Sequence, residues 1–302
     1  MNVKKLNKKY DIKVLTSSAF KIKTPEELPN LHGLSMYVAK RGSGKSVAIQ
    51  NLVRMYKDNK CLNRVFLCCP TYLSNKDLFD TIVDESDVYT EGDEKDLQMI
   101  LNEIQQEADN LAKYNKDMKA YTEMMKKIHN NEDVDQIEEN DLLQFFDGVA
   151  FKMPEHRWTP KGQLVGNKPK LACVFDDLQG SKLMSPYSSL MRACVKHRHL
   201  GSHKDIGALG CSFFIACQSY KCQGGLNKAI RQNCTALHLW RMKETELKKV
   251  MEEMSEVTDE EFMKAYNYSC LNDNEPHSFL TVDFHPAKGQ PKLRKNYNEY
   301  IL

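Results

Sequence analysis

The sequence predicts an α/β fold with a mainly parallel sheet and a helical insertion, and three observations predict it. Apolar runs of strand length recur along the chain, each bounded by turn residues. Helical patterns stand between several of them, as a parallel sheet with crossover helices requires. One stretch, residues 94–129, breaks that rhythm with apolar residues spaced for a single long helix. A chain of 302 residues holds one large α/β domain, or one domain with a small appendage.

In chain order, a basic arm comes first. Residues 1–23 carry seven lysines against a single acid, Asp11, and have no apolar core of the kind a secretory signal needs. Leu34-Ser35-Met36-Tyr37-Val38 is an apolar run ending in a Gly-rich turn. A helical pattern starts near Lys45, with Val47, Ile49, Leu52, Val53 and Tyr56 on one side. Arg64 to Cys69 reads as a buried strand stopped by Pro70. Strand, helix and strand in this order form a right-handed βαβ unit. Next, Leu97, Ile104, Leu111, Met118 and Met125 recur every seven residues, uninterrupted by Gly or Pro. They form one long amphipathic helix, or two with a bend, docked on its own domain, with a projecting coil or subunit contact as the sharper alternative. Residues 149–170, with three prolines and two glycines, form a connector.

Beyond it, Leu171 to Phe175 is an apolar strand running into Asp176-Asp177. A helix around 184–198 and strands at 212–217 and 236–240 continue the pattern. Helices near 243–254 and 258–268 and a strand near 278–284 close the fold. The organisation expected is therefore a basic arm over 1–30, a core domain over 31–285 with its insertion at about 90–165, and a basic tail over 286–302.

Composition narrows the function classes. No run approaches the eighteen or so apolar residues of a membrane span. A net charge of +2 does not mark the whole chain as a nucleic-acid binder, although basic residues cluster at the N-terminus, at 192–204 and at 288–295. Ten scattered cysteines, several inside apolar runs, read as reduced thiols of a cytosol-like compartment. His197, His199 and His203 near Cys194 lack any Cys-x-x-Cys companion and read as a basic surface helix, not a zinc site.

The chemistry is concentrated at Ala39-Lys40-Arg41-Gly42-Ser43-Gly44-Lys45-Ser46, with Val47 following. Strand before and helix after is the setting of a phosphate-binding P-loop. Gly42 and Gly44 let successive N–H groups turn inward as an anion nest, and the helix adds its positive end. Lys45 reaches the β- and γ-phosphates, and the Ser46 hydroxyl ligates Mg²⁺. Ala39 stands where the first glycine of the pattern is usual. The partner such a loop needs is a carboxylate closing a buried strand, and Asp176 supplies it for the metal. Asp177 is placed to act as general base on water. Gln218 ends the strand 212–217 on the ligand-binding edge of a parallel sheet, where an amide senses the γ-phosphate. ATP and Mg²⁺ are therefore the expected ligands.

AKRGSGKS, VFDD, FFIACQS, AIRQN and the LCCPTY stretch together resemble the FtsK–HerA superfamily of DNA-pumping ATPases. Within it they look most like the poxvirus-type genome-packaging ATPases of large DNA viruses and virophages. The resemblance covers roughly residues 30–245. It implies a RecA-like core working in a ring, usually a hexamer, that moves double-stranded DNA into a capsid through portal-vertex partners. The setting it implies is the host cytoplasm, a viral factory or the virion. It also implies an arginine acting on the neighbouring subunit's site, for which Arg231, then Arg241 and Arg198, are candidates. The second Walker B acid, often Glu in the family, is Asp177 here. Two other functions use the same loop: a small-molecule or nucleotide kinase, and an assembly protein that binds ATP without moving DNA.

Overall fold

The computed structural model describes residues 20–129, 143–148, 150–185, 187–221, 227–254 and 257–302. Eight of the strands join β1 (Leu34–Val38) in one nine-stranded sheet: β2 (Arg64–Cys68), β3 (Val88–Tyr89), β4 (Leu171–Phe175), β7 (Cys211–Cys217), β8 (Ala236–Leu239), β9 (Leu280–Asp283), β10 (Leu293–Lys295) and β11 (Glu299–Ile301). A small hairpin, β5 (Ser202–His203) with β6 (Gly207–Ala208), stands apart. The order across the sheet is β11-β10-β9-β8-β1-β7-β4-β2-β3, parallel from β8 to β3 and antiparallel from β8 to β11.

Parallel strands covered on both faces read as continuous apolar runs, and the central strands do so because alternate residues enter different cores. Leu34, Met36 and Val38 face one core with Phe66, Cys173, Phe175, Phe213 and Ile215. Tyr37, Val65, Leu67, Val174 and Phe214 face the other. The second face is covered by α1 (Lys45–Asp58), through Ile49, Leu52, Val53 and Tyr56. The first face is covered by α3 (Glu94–His129), α4 (Ser189–Lys196), α6 (Glu244–Met251) and α7 (Asp259–Cys270); the short helices α2 (Lys76–Phe79) and α5 (Lys228–Gln232) also stand among the described residues. At α7 the Thr258 hydroxyl and the Glu261 carboxylate form a reciprocal capping box that fixes the helix start.

The long helix is a single element of 36 residues. Its first half docks as expected, with Leu97, Ile100, Ile104, Ala108 and Leu111 in the core beside β4 and β7. Arg64 at the start of β2 reaches Glu103 and Glu107 on it, which ties the insertion to the sheet. Residues 130–142, within the expected insertion, lie outside the described residues, as does most of the N-terminal arm.

Two expectations change. The 286–302 segment, read as a basic tail, contributes β10 and β11 to the sheet. Arg294 is only 2% exposed because it pairs with Asp283 at 3.0 Å and donates to the Glu27 carbonyl, and Lys295 pairs with Glu275 at 2.6 Å. A buried charge is tolerated when it is paired and hydrogen-bonded, which composition alone does not reveal. The basic segment around α4 is also only partly a surface. Lys196, Arg198 and His199 are exposed, but His197 is buried, its Nδ1 at 2.7 Å from the Cys194 carbonyl, and burial lowers its pKa. The nine cysteines among the described residues are buried free thiols.

Candidate functional site

In an open sheet of this kind, ligands gather at the carboxyl ends of the parallel strands. Here that edge collects the turn after β1, the acid pair after β4 and the amide after β7. Backbone bonds tie this edge together: the Ala39 N–H donates to the Cys217 carbonyl at the end of β7 at 3.1 Å, and the Asp176 N–H to the Cys68 carbonyl at the end of β2 at 3.1 Å.

The loop from Ala39 to Ser46 turns on two glycines. Gly42 has φ +78° and Gly44 φ +94°, a region that side chains with a Cβ rarely adopt. Gly44 also caps α1, and its carbonyl receives the Ala48 N–H at 2.9 Å. α1 carries no acid in its first turn and no capping side chain, so its N-terminal N–H groups remain open to an anion. Ala39 is 2% exposed and is not among the residues with positive φ, so this position accepts a methyl where glycine is usual.

Lys45 leads α1, and its ammonium donates to the Ala39 and Lys40 carbonyls at 2.7 and 2.9 Å, which holds it over the loop. Burial lowers its pKa, while the Asp176 and Asp177 carboxylates work in the opposite direction. Ser46, the next residue, donates to Asp176 Oδ2 at 2.6 Å across 130 residues of sequence. The other oxygen of Asp176 accepts the Asp177 N–H at 3.0 Å. Asp176 is 4% exposed, and burial raises its carboxyl pKa against the Ser46 hydroxyl, the Asp177 N–H and the Lys45 ammonium. A buried carboxylate beside one hydroxyl is relieved by a cation.

Asp177 is exposed and takes the left-handed conformation at φ +52°, which Asp and Asn tolerate better than most residues. Its turn carries Gln179, whose side-chain oxygen accepts the Gln218 N–H at 3.2 Å, so the acid turn and the β7 tip are joined. Lys45, Ser46, Asp176, Asp177 and Gln218 all line one cavity of about 530 Å³. The same cavity is bordered by Arg41, Gly42, Ser43, Gly44 and Val47. Among the described residues no group of three or more His, Cys, Asp or Glu side chains is placed to hold a metal. Mg²⁺ does not need one, because it takes one or two carboxylates and completes its shell with phosphate oxygens and water. Ser46 and Asp176 fit that pattern.

The structure adds residues that the sequence pattern does not single out. Thr71 and Asn75 follow β2 into the cavity wall, and His277 reaches it from the loop before β9, with Nδ1 3.4 Å from the Ser43 carbonyl. Strand-end position is a signal for the first two; nothing local marks His277.

Arg231 is elsewhere. It is not among the lining residues, and Nε and Nη2 clasp Glu253 at 2.8 and 2.9 Å with only 6% of its side chain exposed. The pair, with Tyr220 donating to the same carboxylate, holds the Glu253 pKa down at about 2. The other two arginines are exposed: Arg241, 65% exposed and 2.9 Å from Asp273, and Arg198 beside α4. Scanned against known protein families and against curated proteins, the chain matches none.

Proposed function

We propose that this protein binds ATP with Mg²⁺ and hydrolyses it to move double-stranded DNA, as a ring-forming ATPase of the FtsK–HerA kind with a RecA-like core. One observation carries the nucleotide half of the reading. The contact between Ser46 and Asp176 brings the hydroxyl at the head of α1 to a buried carboxylate at the tip of β4, beside the Lys45 ammonium.

In this reading the loop N–H groups and the α1 N-terminus receive the phosphates, and Lys45 exchanges the Ala39 and Lys40 carbonyls for β- and γ-phosphate oxygens. Ser46 and Asp176 hold Mg²⁺, which supplies charge stabilisation for the transferring phosphoryl group. Asp177, on its own turn beside Asp176, takes the proton from the attacking water. Gln218 reads the γ-phosphate, and Gln179 passes that reading to the acid turn.

What favours a motor over a kinase is the strand between the P-loop strand and the acid strand. β7 pairs with β1 on one side and β4 on the other, so the Gln218 amide stands between the two halves of the site. The loop after it is bound to α6, where Glu246 accepts from the Ser219 hydroxyl at 2.7 Å and the Tyr220 N–H at 2.6 Å. A change at the γ-phosphate is thereby linked to a helix distant from the chemistry. For the arginine that acts on a neighbouring subunit, Arg198 and Arg241 are at the surface, Arg241 in an exposed pair with Asp273; Arg231 reaches a neighbour only by leaving the more buried Glu253.

The test is ATP hydrolysis with and without long duplex DNA. The expected result is turnover that rises with duplex and ignores small phosphate acceptors. Phosphate transfer to a small acceptor would replace the motor with a kinase, and ATP binding without turnover would replace it with an assembly role.

A further inference from the structure

A second cavity, of about 500 Å³, opens beside the phosphate cavity and shares Gly44, Val47 and His277 with it. We infer that this cavity receives the nucleoside end of the nucleotide, and that the chain's own C-terminal segment, residues 275–298, forms the wall that holds the base. The inference rests on the P-loop reading, since it locates the rest of a ligand whose phosphates lie on that loop.

The first argument is position. Gly44 and Val47 are where α1 begins, so a chain of phosphates on the loop directs whatever follows them along the outer side of that helix. There α1 presents Val47, Asn51 and Met55 at successive turns. Val47 is 49% exposed, an apolar side chain that the core does not take up.

The second argument is the chemistry of the opposite wall. It carries His277, Phe279 and Tyr297, with the Asn298 amide at its edge. An apolar and aromatic lining with a few polar groups is what a small organic ligand requires, and the volume falls in the roughly 300–1,000 Å³ range of such sites. The exposed His277 ring and the half-buried Tyr297 ring suit a planar base, with Phe279 packed behind them, and the Asn51 and Asn298 amides offer both a donor and an acceptor to its polar edge.

The third argument is that the wall is built before any ligand meets it. Phe279 stacks on Trp240 with ring centres 4.4 Å apart, and meets Tyr297 edge-on at 5.0 Å. Trp240 Nε1 donates to the His277 carbonyl at 2.9 Å, and the Tyr297 hydroxyl to the Ala48 carbonyl at 3.1 Å. Asn296 Oδ1 accepts the Phe279 N–H at 3.0 Å, which joins the loop before β9 to the turn after β10. Glu275, which also lines the cavity, is held by Lys295 at 2.6 Å. A rigid wall lowers the ordering cost of binding.

The experiment compares two ligands, ATP and inorganic tripolyphosphate, each with Mg²⁺, by calorimetric titration. Two variants narrow the cavity from opposite sides: Asn51→Trp on α1 and Asn298→Trp in the β10–β11 turn. The expected result is ATP affinity about tenfold or more weaker in both, with tripolyphosphate affinity kept within about twofold, because only the nucleoside is displaced. The retained tripolyphosphate binding also shows that each variant is folded. Parental ATP affinity in both variants would overturn the inference and leave the loop reading standing. Equal losses of ATP and tripolyphosphate in both would overturn it as well. A parent chain that binds neither ligand would overturn the loop reading itself.

Discussion

Asp177→Asn is expected to bind ATP with Mg²⁺ at parental affinity and to hydrolyse it about 10²–10⁴ times more slowly, the usual worth of a positioned general base. The substitution is isosteric and leaves the turn intact. Asn accepts the left-handed backbone at φ +52° as well as Asp does, and the N–H that donates to Asp176 Oδ1 belongs to the main chain. The Asp176 carboxylate and the Lys45 ammonium are kept, so binding survives and only proton transfer is lost. Single-turnover hydrolysis under saturating ATP separates the two quantities. A parental rate would remove Asp177 as the base.

The second large effect lies away from the site. Arg64 is expected to be the most costly surface-proximal charge to remove, because one guanidinium serves three carboxylates. Its Nη2 lies 2.6 Å from Asp87 and 2.9 Å from Glu103, and its Nη1 lies 2.9 Å from Glu107. Asp87 is 1% exposed and Glu107 6%, and Trp158 Nε1 donates to the other Glu107 oxygen at 2.8 Å. Burial opposes the Arg64 charge, and the hydrogen bonds it donates to Asp87, Glu103 and Glu107 override that and raise its pKa. Arg64→Ala leaves two buried carboxylates facing each other without a cation, which costs about 3–5 kcal/mol.

Urea denaturation of the parent and of Arg64→Ala at pH 7 reads the size of the loss. A loss below about 1 kcal/mol at pH 7, the usual ceiling of an exposed pair, would mean that this network is surface decoration.

Much of the central architecture is legible in the sequence because its signals are local. β1, the loop from Ala39 to Ser46 and α1 form one continuous pattern of apolar run, glycine turn and helical period. The β4 run ending in Asp176-Asp177 and the β7 run ending in Gln218 need only a few residues each. The 94–129 helix declares itself by a sustained seven-residue spacing over a stretch free of Gly and Pro. The elements that escape are the ones defined by partners far away in sequence. β3, β10 and β11 have two or three residues each, too short for a period to show. Arg294 and Lys295 look like a solvated basic tail until Asp283 and Glu275 appear beside them. Arg231 looks available until Glu253, 22 residues on, is seen to hold it. His277 enters the site from 234 residues beyond Ser43, a distance over which no spacing rule operates.

Local chemistry leaves a clearer trace in a sequence than partner surfaces do. Amide nest, ammonium and carboxylate must converge within a few ångströms, and the geometry of Lys45, Ser46 and Asp176 meets that demand. DNA and neighbouring subunits are recognised by surfaces, which have no comparable local pattern.

The measurement that bears most directly on the central claim is a calorimetric titration of ATP with Mg²⁺ into the parent chain and into Lys45→Ala. The parent should saturate at one site per chain. Lys45→Ala should bind about 30-fold or more weakly, the loss expected when one partner of a desolvated charge contact is deleted. Equal binding by both proteins, or none by the parent, would contradict the claim that this loop is where a triphosphate is held.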